Sequence, residues 1–158
     1  MKTLVIGLGN PILGDDGVGW RVAEEVAGRT NGRSDVEVDC ASLGGLSLME
    51  RLTDSERVVL IDSIFTGEKP VGTVSQFTLS DLPDLTSGHS ASAHDTSLRN
   101  ALNVGRGMEI PLPEDGNVII VAIEAENVYD FSQELSPAVA AAVPLAVKTV
   151  LDLLASQI

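Results

Sequence analysis

The sequence has few basic residues and a single cysteine. Its 158 residues include 10 lysines and arginines against 23 aspartates and glutamates, which gives a formal net charge of −13. A chain this acidic repels a phosphate backbone, so nucleic acid is excluded as an expected partner. One cysteine, Cys40, excludes a disulfide framework and fits a reducing compartment. We therefore expect a cytoplasmic protein.

Long hydrophobic segments are also missing from the sequence. The apolar run from Leu4 to Ile6 is too short for the core of a signal peptide. The longest apolar stretch, residues 137–147, falls short of the roughly 18 residues that suggest a membrane span. These lengths predict a protein without a membrane partner. With 44% hydrophobic residues, residues 1–158 are expected to form a single domain around one sizeable core.

Strand-like and helix-like patterns alternate along the chain. Strand patterns cover residues 3–6, 36–42, 57–65, 72–79 and 117–125, and helical patterns start at 17, 46, 98 and 137. The crossovers predict a doubly wound three-layer α/β domain with a mostly parallel sheet of about five strands. The run at 72–79 follows its predecessor too closely for a helical crossover, so we expect it to be an antiparallel edge strand. Gly105 is expected to end the third helix.

Polar residues follow two of the predicted parallel strands. Asp16 comes after the first strand, and Asp62 closes the apolar run "VVLI". Ligands of doubly wound sheets bind beyond the carboxyl ends of such strands. His94 lies in the small-residue stretch "SGHSASAHDTS", which we expect to be an irregular loop that can fold over this edge. Two carboxylates and an imidazole suit nickel, zinc or a related divalent ion.

Each of these residues also has a purely structural interpretation. Asp16 is well placed to cap the following helix, and Asp62 to begin a turn. His94 could be an exposed loop residue, with Asp95 or Thr96 capping the next helix. Considered alone, Asp16 is best interpreted as a helix cap. A cap needs only one carboxylate, so the other aspartate of the Asp15–Asp16 pair is left without a structural role. Together, the three residues favour a metal site.

The opening motif "GLGNPILGDDG" also shares features with a dinucleotide-binding turn. Gly7 and Gly9 match the first two glycines of that fingerprint, and Asp39 could mimic its ribose-binding acid. The third glycine position holds Ile12, and the adjacent aspartates put negative charge where a pyrophosphate would lie. The motif therefore disfavours a dinucleotide.

Four segments resemble the hydrogenase maturation endopeptidases. The opening "LVIGLGNPILGDDGVG" is similar to the family's first motif, and "LIDSIFTGEKPVGTV" to its third strand and following connection. "SAHDTSL" resembles its histidine loop, and "SPAVAAAVPLAVKTVL" its closing helix. The resemblance covers nearly the whole chain. It implies an endopeptidase that removes the C-terminal extension of a nickel–iron hydrogenase large-subunit precursor after nickel insertion. It also implies that Asp16, Asp62 and His94 form the metal-binding and catalytic site, with the nickel supplied by the substrate.

The second loop, "DCASLGGLS", resembles the family pattern less closely. The resemblance implies substrate-binding roles for Asp39, Gly44 and Gly45, although Cys40 and Leu43 depart from the pattern. His89 is a second histidine, five residues before His94. We choose His94 because it alone stands in the serine–alanine–histidine context.

The sequence leaves several functional alternatives open. Either the bound metal activates the attacking water, or one aspartate is the general base and the nickel serves recognition. A non-catalytic metal-binding assembly chaperone would need the same ligands. Peptidyl-tRNA hydrolase has a similar opening, but "GDDGVGWRV" stands here in place of the segment that carries its catalytic histidine. The particular hydrogenase, the cleavage site and the oligomeric state do not follow from the sequence.

Overall fold

The computed structural model describes residues 2–42, 44–81 and 93–156, with the side chains of 93–97 outside that description. The strands are β1 (Thr3–Leu8), β2 (Val36–Ala41), β3 (Arg57–Ile64), β4 (Val74–Thr78) and β5 (Val118–Glu124). The helices are α1 (Val18–Arg29), α2 (Gly45–Arg51), α3 (Ala93–Gly107) and α4 (Pro137–Ala155). Short 3-10 turns cover Gly14–Gly17, Leu79–Asp81 and Asp115–Asn117.

The five strands form one sheet in the order β2-β1-β3-β5-β4. The first four of these are mutually parallel, and β4 pairs antiparallel with β5 at the edge. The predicted mostly parallel sheet with one antiparallel edge strand is confirmed. The chain leaves β1 toward β2 on one side and returns to β3 on the other, so the strand order reverses between β1 and β3.

Two hydrophobic cores fill the space on either side of the sheet. Side chains alternate along each strand, so Leu4 and Ile6 lie in the core covered by α2 and α3. Val5 and Ile61 lie in the other core, with α1 and α4. β3 and β5 are buried along nearly their whole length. Burial on both faces explains their continuous apolar sequences.

Two glycines let α1 pack directly on the sheet. A Cβ at Gly7 would overlap the carbonyl oxygen of Gly19, and a Cβ at Gly19 would overlap the carbonyl oxygen of Ile61. Any larger side chain at either position would push α1 away from β1 and β3. The close approach fixes the start of α1, and with it the Gly14–Gly17 turn, above the point where the strand order reverses.

Helix α4 is long and apolar enough to cross a membrane by length and composition. Its buried residues include Val139, Val143, Val147 and Val150, and they pack in the core shared with α1. One face of α4 is therefore used in the core of this domain.

Helix α3 differs from its predicted boundaries. It begins at Ala93, so the first turn contains His94, Asp95 and Thr96, and neither of the last two precedes the helix as a cap. The prediction that His94 lies in an irregular loop is wrong, because its backbone is helical. Residues 82–92 of the expected loop lie outside the described residues.

The end of α3 was also predicted wrongly, because the helix continues past Gly105 to Gly107. A Cβ at Gly105 would overlap Leu112 Cδ1 and press on Met49 Sδ. Gly105 therefore serves close packing inside the helix rather than its termination.

Candidate active site

The carboxyl ends of β1 and β3 bring Asp16 and Asp62 to one edge of the sheet. Gly7 of β1 pairs with Ile61 of β3, so Asp62 is the next residue beyond this pairing. Asp16 lies in the 3-10 turn that follows β1. This edge is the point of strand-order reversal, where doubly wound sheets bind ligands.

Ser63 contacts both aspartates. Its Oγ donates to Asp16 Oδ1 at 3.2 Å, and its backbone N–H donates to Asp62 Oδ1 at 2.9 Å. The first bond joins the Asp16 turn to β3, and the second is a local bond between neighbouring residues of β3. This residue was not singled out by sequence reasoning, although it directly follows Asp62.

Asp16 is half-buried and does not cap α1. Its Oδ2 accepts the backbone N–H of Asn10 at 2.8 Å, and the residue before α1 is Gly17, which makes no side-chain cap bond. The capping interpretation of Asp16 is wrong. Among the described residues, its carboxylate accepts two hydrogen bonds out of roughly four that such a group can take. Asp16 therefore keeps acceptor capacity at the edge of the sheet.

Asp15, the neighbour of Asp16, is fully buried and points into the protein. Its Oδ2 accepts from Glu126 N, Asn127 N and Ser136 Oγ at 2.9–3.0 Å, and its Oδ1 accepts from Ser136 N at 2.7 Å. Burial raises the pKa of Asp15, but the hydrogen bonds from Asn127, Ser136 and Glu126 outweigh it and hold the pKa below its usual value. Ser136 directly precedes α4. One aspartate of the pair thus does serve a helix N-terminus, but it is Asp15, and the helix is α4.

Glu124 is a second buried carboxylate at this edge. It ends β5, with only 1% of its surface exposed. Its oxygens accept the Thr66 hydroxyl at 2.6 Å and the Thr66 N–H at 2.9 Å. Glu124 therefore fixes the segment that follows β3. Sequence reasoning missed it, although an acid closing the apolar run "VIIVAI" carries the same signal as Asp62.

The residues predicted from the second loop lie next to this edge. Asp39 is exposed within β2, and its Oδ2 accepts from Arg51 Nε at 3.2 Å. Gly44 has an extended backbone and precedes α2, which begins at Gly45 with a φ of 53°. Ser42 Oγ donates to the Gly9 carbonyl at 2.7 Å and joins this loop to the one after β1. The loop is thus close to the Asp16 turn, while Asp39 itself is engaged with α2.

The third predicted ligand, His94, is described by its backbone alone, and His89 lies outside the described residues. In the described part of the chain, no group of three histidine, cysteine or acidic side chains is arranged to hold a metal ion. Asp16 and Asp62 lie near the same carboxyl edge of the sheet. The roles of Asp16, Asp62 and His94 as metal ligands stay predictions.

Cys40 does not have the surroundings of a nucleophile. Burial, with the nearby charges of Glu24 and Asp39, raises the pKa of its thiol to about 11. The thiolate, which is the reactive form, is therefore scarce at neutral pH. Its Sγ lies 3.9 Å from the Trp20 carbonyl oxygen, as a weak donor.

An open depression of about 460 Å³ lies at the opposite edge of the sheet. Its lining includes Asp54, Glu56, Pro111 and Asn117, which flank the amino ends of β3 and β5. Its lining does not include the predicted site residues that the structure describes in full, which are Asp16, Asp39, Gly44, Gly45 and Asp62. We place the candidate site at the carboxyl edge because the carboxylates and the strand-order reversal coincide there.

Comparisons with known proteins agree with the predicted family. A family model described as "Hydrogenase maturation protease" (HycI) matches residues 20–153. The chain is 27% identical over 154 residues to a putative hydrogenase maturation protease of Methanocaldococcus jannaschii, which covers 94% of this chain and 93% of the relative. It is 24% identical over 155 residues to the hydrogenase expression/formation protein HupD of Rhizobium leguminosarum bv. viciae, with coverages of 98% and 75%.

Solved structures share the fold. The hydrogenase maturating endopeptidase HybD from E. coli matches with a TM-score of 0.75 and 23% identity, and the alignment covers 98% of this chain and 92% of that one. The family match includes Asp62 but begins after Asp16. The family match supports a peptidase rather than the two alternatives left open by the sequence, an assembly chaperone and a peptidyl-tRNA hydrolase.

Proposed function

The chain belongs to the family of hydrogenase maturation proteases, and on this premise we propose which bond it cuts and how it recognises its substrate. The protein acts as a peptidase on a hydrogenase precursor. We propose that it removes the C-terminal extension of the large subunit of a nickel–iron hydrogenase after nickel has been inserted, and that it does so in the cytoplasm. The observation that supports this proposal is the placement of Asp16 in the turn after β1 and of Asp62 near the carboxyl end of the neighbouring strand β3, where the strand order reverses.

The nickel in this proposal belongs to the substrate. Asp16, Asp62 and His94 bind it as two oxygen donors and one nitrogen donor, a set that also suits zinc or another divalent ion. Ser63 and the Asn10 N–H fix the carboxylates beforehand, so little ordering is needed when the precursor binds. A divalent ion held there supplies Lewis acidity toward the scissile carbonyl and lowers the pKa of its bound water.

The two aspartates differ in solvent exposure, and this difference suggests a different role for each. Asp62 is 1% exposed, whereas Asp16 is half-buried. If nickel serves recognition alone, Asp16 is the residue that can reach a water molecule and accept its proton as the peptide bond is attacked. Asp62 then acts as a fixed anionic anchor. Either chemistry requires both carboxylates.

The second loop completes the proposed substrate contacts. Gly44 and Gly45 have no side chains to keep a peptide backbone away from the edge. Asp39 holds Arg51 at the end of α2, so we propose that it supports the peptide-binding loop from its outer side. The hydrogen bond between Ser42 and Gly9 connects this loop to the turn that carries Asp16.

Mass spectrometry of a purified precursor tests the proposal. The wild-type enzyme should shorten a nickel-loaded large subunit at its C-terminus and leave the nickel-free precursor intact. Asp62→Asn should cut neither the nickel-loaded nor the nickel-free precursor. Asp152→Asn makes the same change at an exposed position on α4, and this control should cut like the wild type. Efficient cutting of nickel-free precursor would contradict recognition through the substrate's nickel.

A further inference from the structure

Three of the five aromatic residues of this chain are exposed at the same edge of the sheet. Phe65 is 57% exposed, Tyr129 79% and Phe131 84%. The rings of Phe65 and Tyr129 make an edge-to-face contact, with centroids 6.4 Å apart. These residues follow β3 and β5, the strands that end in Asp62–Ile64 and Glu124. We call Phe65, Tyr129 and Phe131 the aromatic surface.

Two of the buried carboxylates, Asp15 and Glu124, fix the segments that carry this surface. Asp15 binds the backbone at Glu126 and Asn127, just before Tyr129. Glu124 binds Thr66, the residue after Phe65. Two buried carboxylates thus fix the backbone next to the exposed aromatic side chains. Such ordering reduces the entropy lost when a partner binds.

The aromatic surface is continuous with the candidate active site. Ser132 N donates to the Ile12 carbonyl, and Gly14 N donates to the Ser132 carbonyl, each at 2.8 Å. The segment after Phe131 therefore runs beside the turn that carries Asp16. Ile12 is itself 45% exposed and extends the apolar area toward that turn.

The charge around the surface is negative. Glu126, Asp130 and Glu134 are exposed on the segment between β5 and α4, which contains no lysine or arginine. The nearby cations Arg21 and Lys69 keep their charges, because they bind the neutral Gln133 carbonyl and Ser75 Oγ, but the three acids outnumber them. An exposed apolar surface with an acidic rim suits a segment that combines apolar and basic side chains.

We propose that the aromatic surface docks an apolar and basic segment of the precursor next to its scissile bond. This inference rests on the proposed function and adds the recognition element that nickel alone cannot supply. The aromatic side chains are the anchors, and the acids at 126, 130 and 134 attract the basic residues of the segment. Aromatic residues are common anchors of protein interfaces.

Steady-state cleavage of nickel-loaded precursor tests the docking. Replacing all three aromatic residues with alanine should raise KM about tenfold or more with kcat nearly unchanged. Phe131→Ala alone, at the most exposed position, should raise KM measurably and gives a variant whose folding is not at risk. Met108→Ala and Leu145→Ala, at exposed apolar positions elsewhere, should stay within about twofold of the wild type.

A second variant tests the acidic residues around the aromatic surface. Neutralising Glu126, Asp130 and Glu134 as Gln, Asn and Gln should raise KM and weaken its dependence on salt. An unchanged KM in both the aromatic and the acidic variants would overturn the docking while leaving the cleavage function intact. If the wild type binds the precursor but leaves it uncut, the proposed function fails, and loss of binding in the aromatic variant would still support the docking.

A second copy of this chain is the other occupant of the aromatic surface that must be tested. Sedimentation of the wild type and of the triple alanine variant should show the same species. A change in oligomeric state with an unchanged KM would assign the aromatic surface to contacts between copies of this chain and overturn the proposal.

Discussion

Asp15 and Asp16 are neighbours in the chain, but they belong to two different regions of the protein. Asp15 is fully buried, and four hydrogen bonds from 126–136 fill its carboxylate. Asp16 is half-buried, and its carboxylate accepts two hydrogen bonds, from Asn10 and Ser63. The first region is a scaffold that holds the edge of the sheet together. The second is a site with acceptor capacity left for a ligand.

The contrast shows why paired acids follow the first strand. One carboxylate faces inward and anchors the segment that leads into α4, and the next bonds to Ser63 of β3 where the strand order reverses. Adjacent residues in a turn point in different directions, so a single short motif can serve both purposes. The acidic pair that disfavours phosphate binding is thus explained by two separate roles.

Apart from the two aspartates themselves, the largest effect is expected from the proposed histidine ligand. His94→Ala should reduce processing of nickel-loaded precursor by about 10²-fold or more, because it removes the nitrogen donor of the site. The matched change His89→Ala should leave processing and metal binding close to the wild type. Both variants are to be scored for the shortened large subunit and for retained nickel. An inactive His89→Ala beside an active His94→Ala would move the site to the earlier histidine.

A smaller effect is expected from Ser63, whose hydroxyl bonds to Asp16. Ser63→Ala removes the hydroxyl bond to Asp16 and keeps the backbone N–H that contacts Asp62. Losing such a supporting contact costs about 10–100-fold in activity or metal affinity. Ser75→Ala, on the edge strand β4, is the matched control and should process normally. Wild-type kinetics in Ser63→Ala would show that Asp16 is positioned without it.

The smallest effect is expected at Cys40. Because its pKa is raised to about 11, alkylation by iodoacetamide at pH 8 should be slower than for an ordinary free cysteine and should accelerate as the pH approaches 11. Cys40→Ser should leave processing unchanged. Loss of processing on alkylation without loss of folding would connect this thiol to the site.

Much of the architecture could be predicted from the sequence. The short connection through Pro70 and Gly72 indicated an antiparallel edge strand, and the strand ends indicated that Asp16 and Asp62 would meet. These predictions need only local patterns and the rule that ligands bind at the carboxyl edge. The structure bears out the sheet. It also joins Asp16 to Ser63, the residue after Asp62, while the meeting of the two carboxylates stays a prediction.

The division of roles among the carboxylates could not be predicted. Asp15 is distinguished from Asp16 by partners 111–121 residues away, at Glu126, Asn127 and Ser136. Glu124 is explained only by its contact with Thr66, 58 residues earlier. Such contacts depend on how the loops pack at the sheet edge, which no periodic pattern encodes. The same limitation applies to α3, where Gly105 suggested a helix end and instead fills a tight contact with Leu112.

The processing rate per folded molecule, compared between Asp15→Asn and Asp16→Asn, tests the central claim most directly. Asp15→Asn should lower the free energy of unfolding by about 1–3 kcal/mol, because buried donors lose an acceptor, and its folded fraction should still process the precursor. The free energy of unfolding of Asp16→Asn should lie within about 0.5 kcal/mol of the wild-type value, and this variant should fail to process the precursor. The reverse pattern, with a stable but inactive Asp15→Asn and an active Asp16→Asn, would contradict the division into scaffold and site.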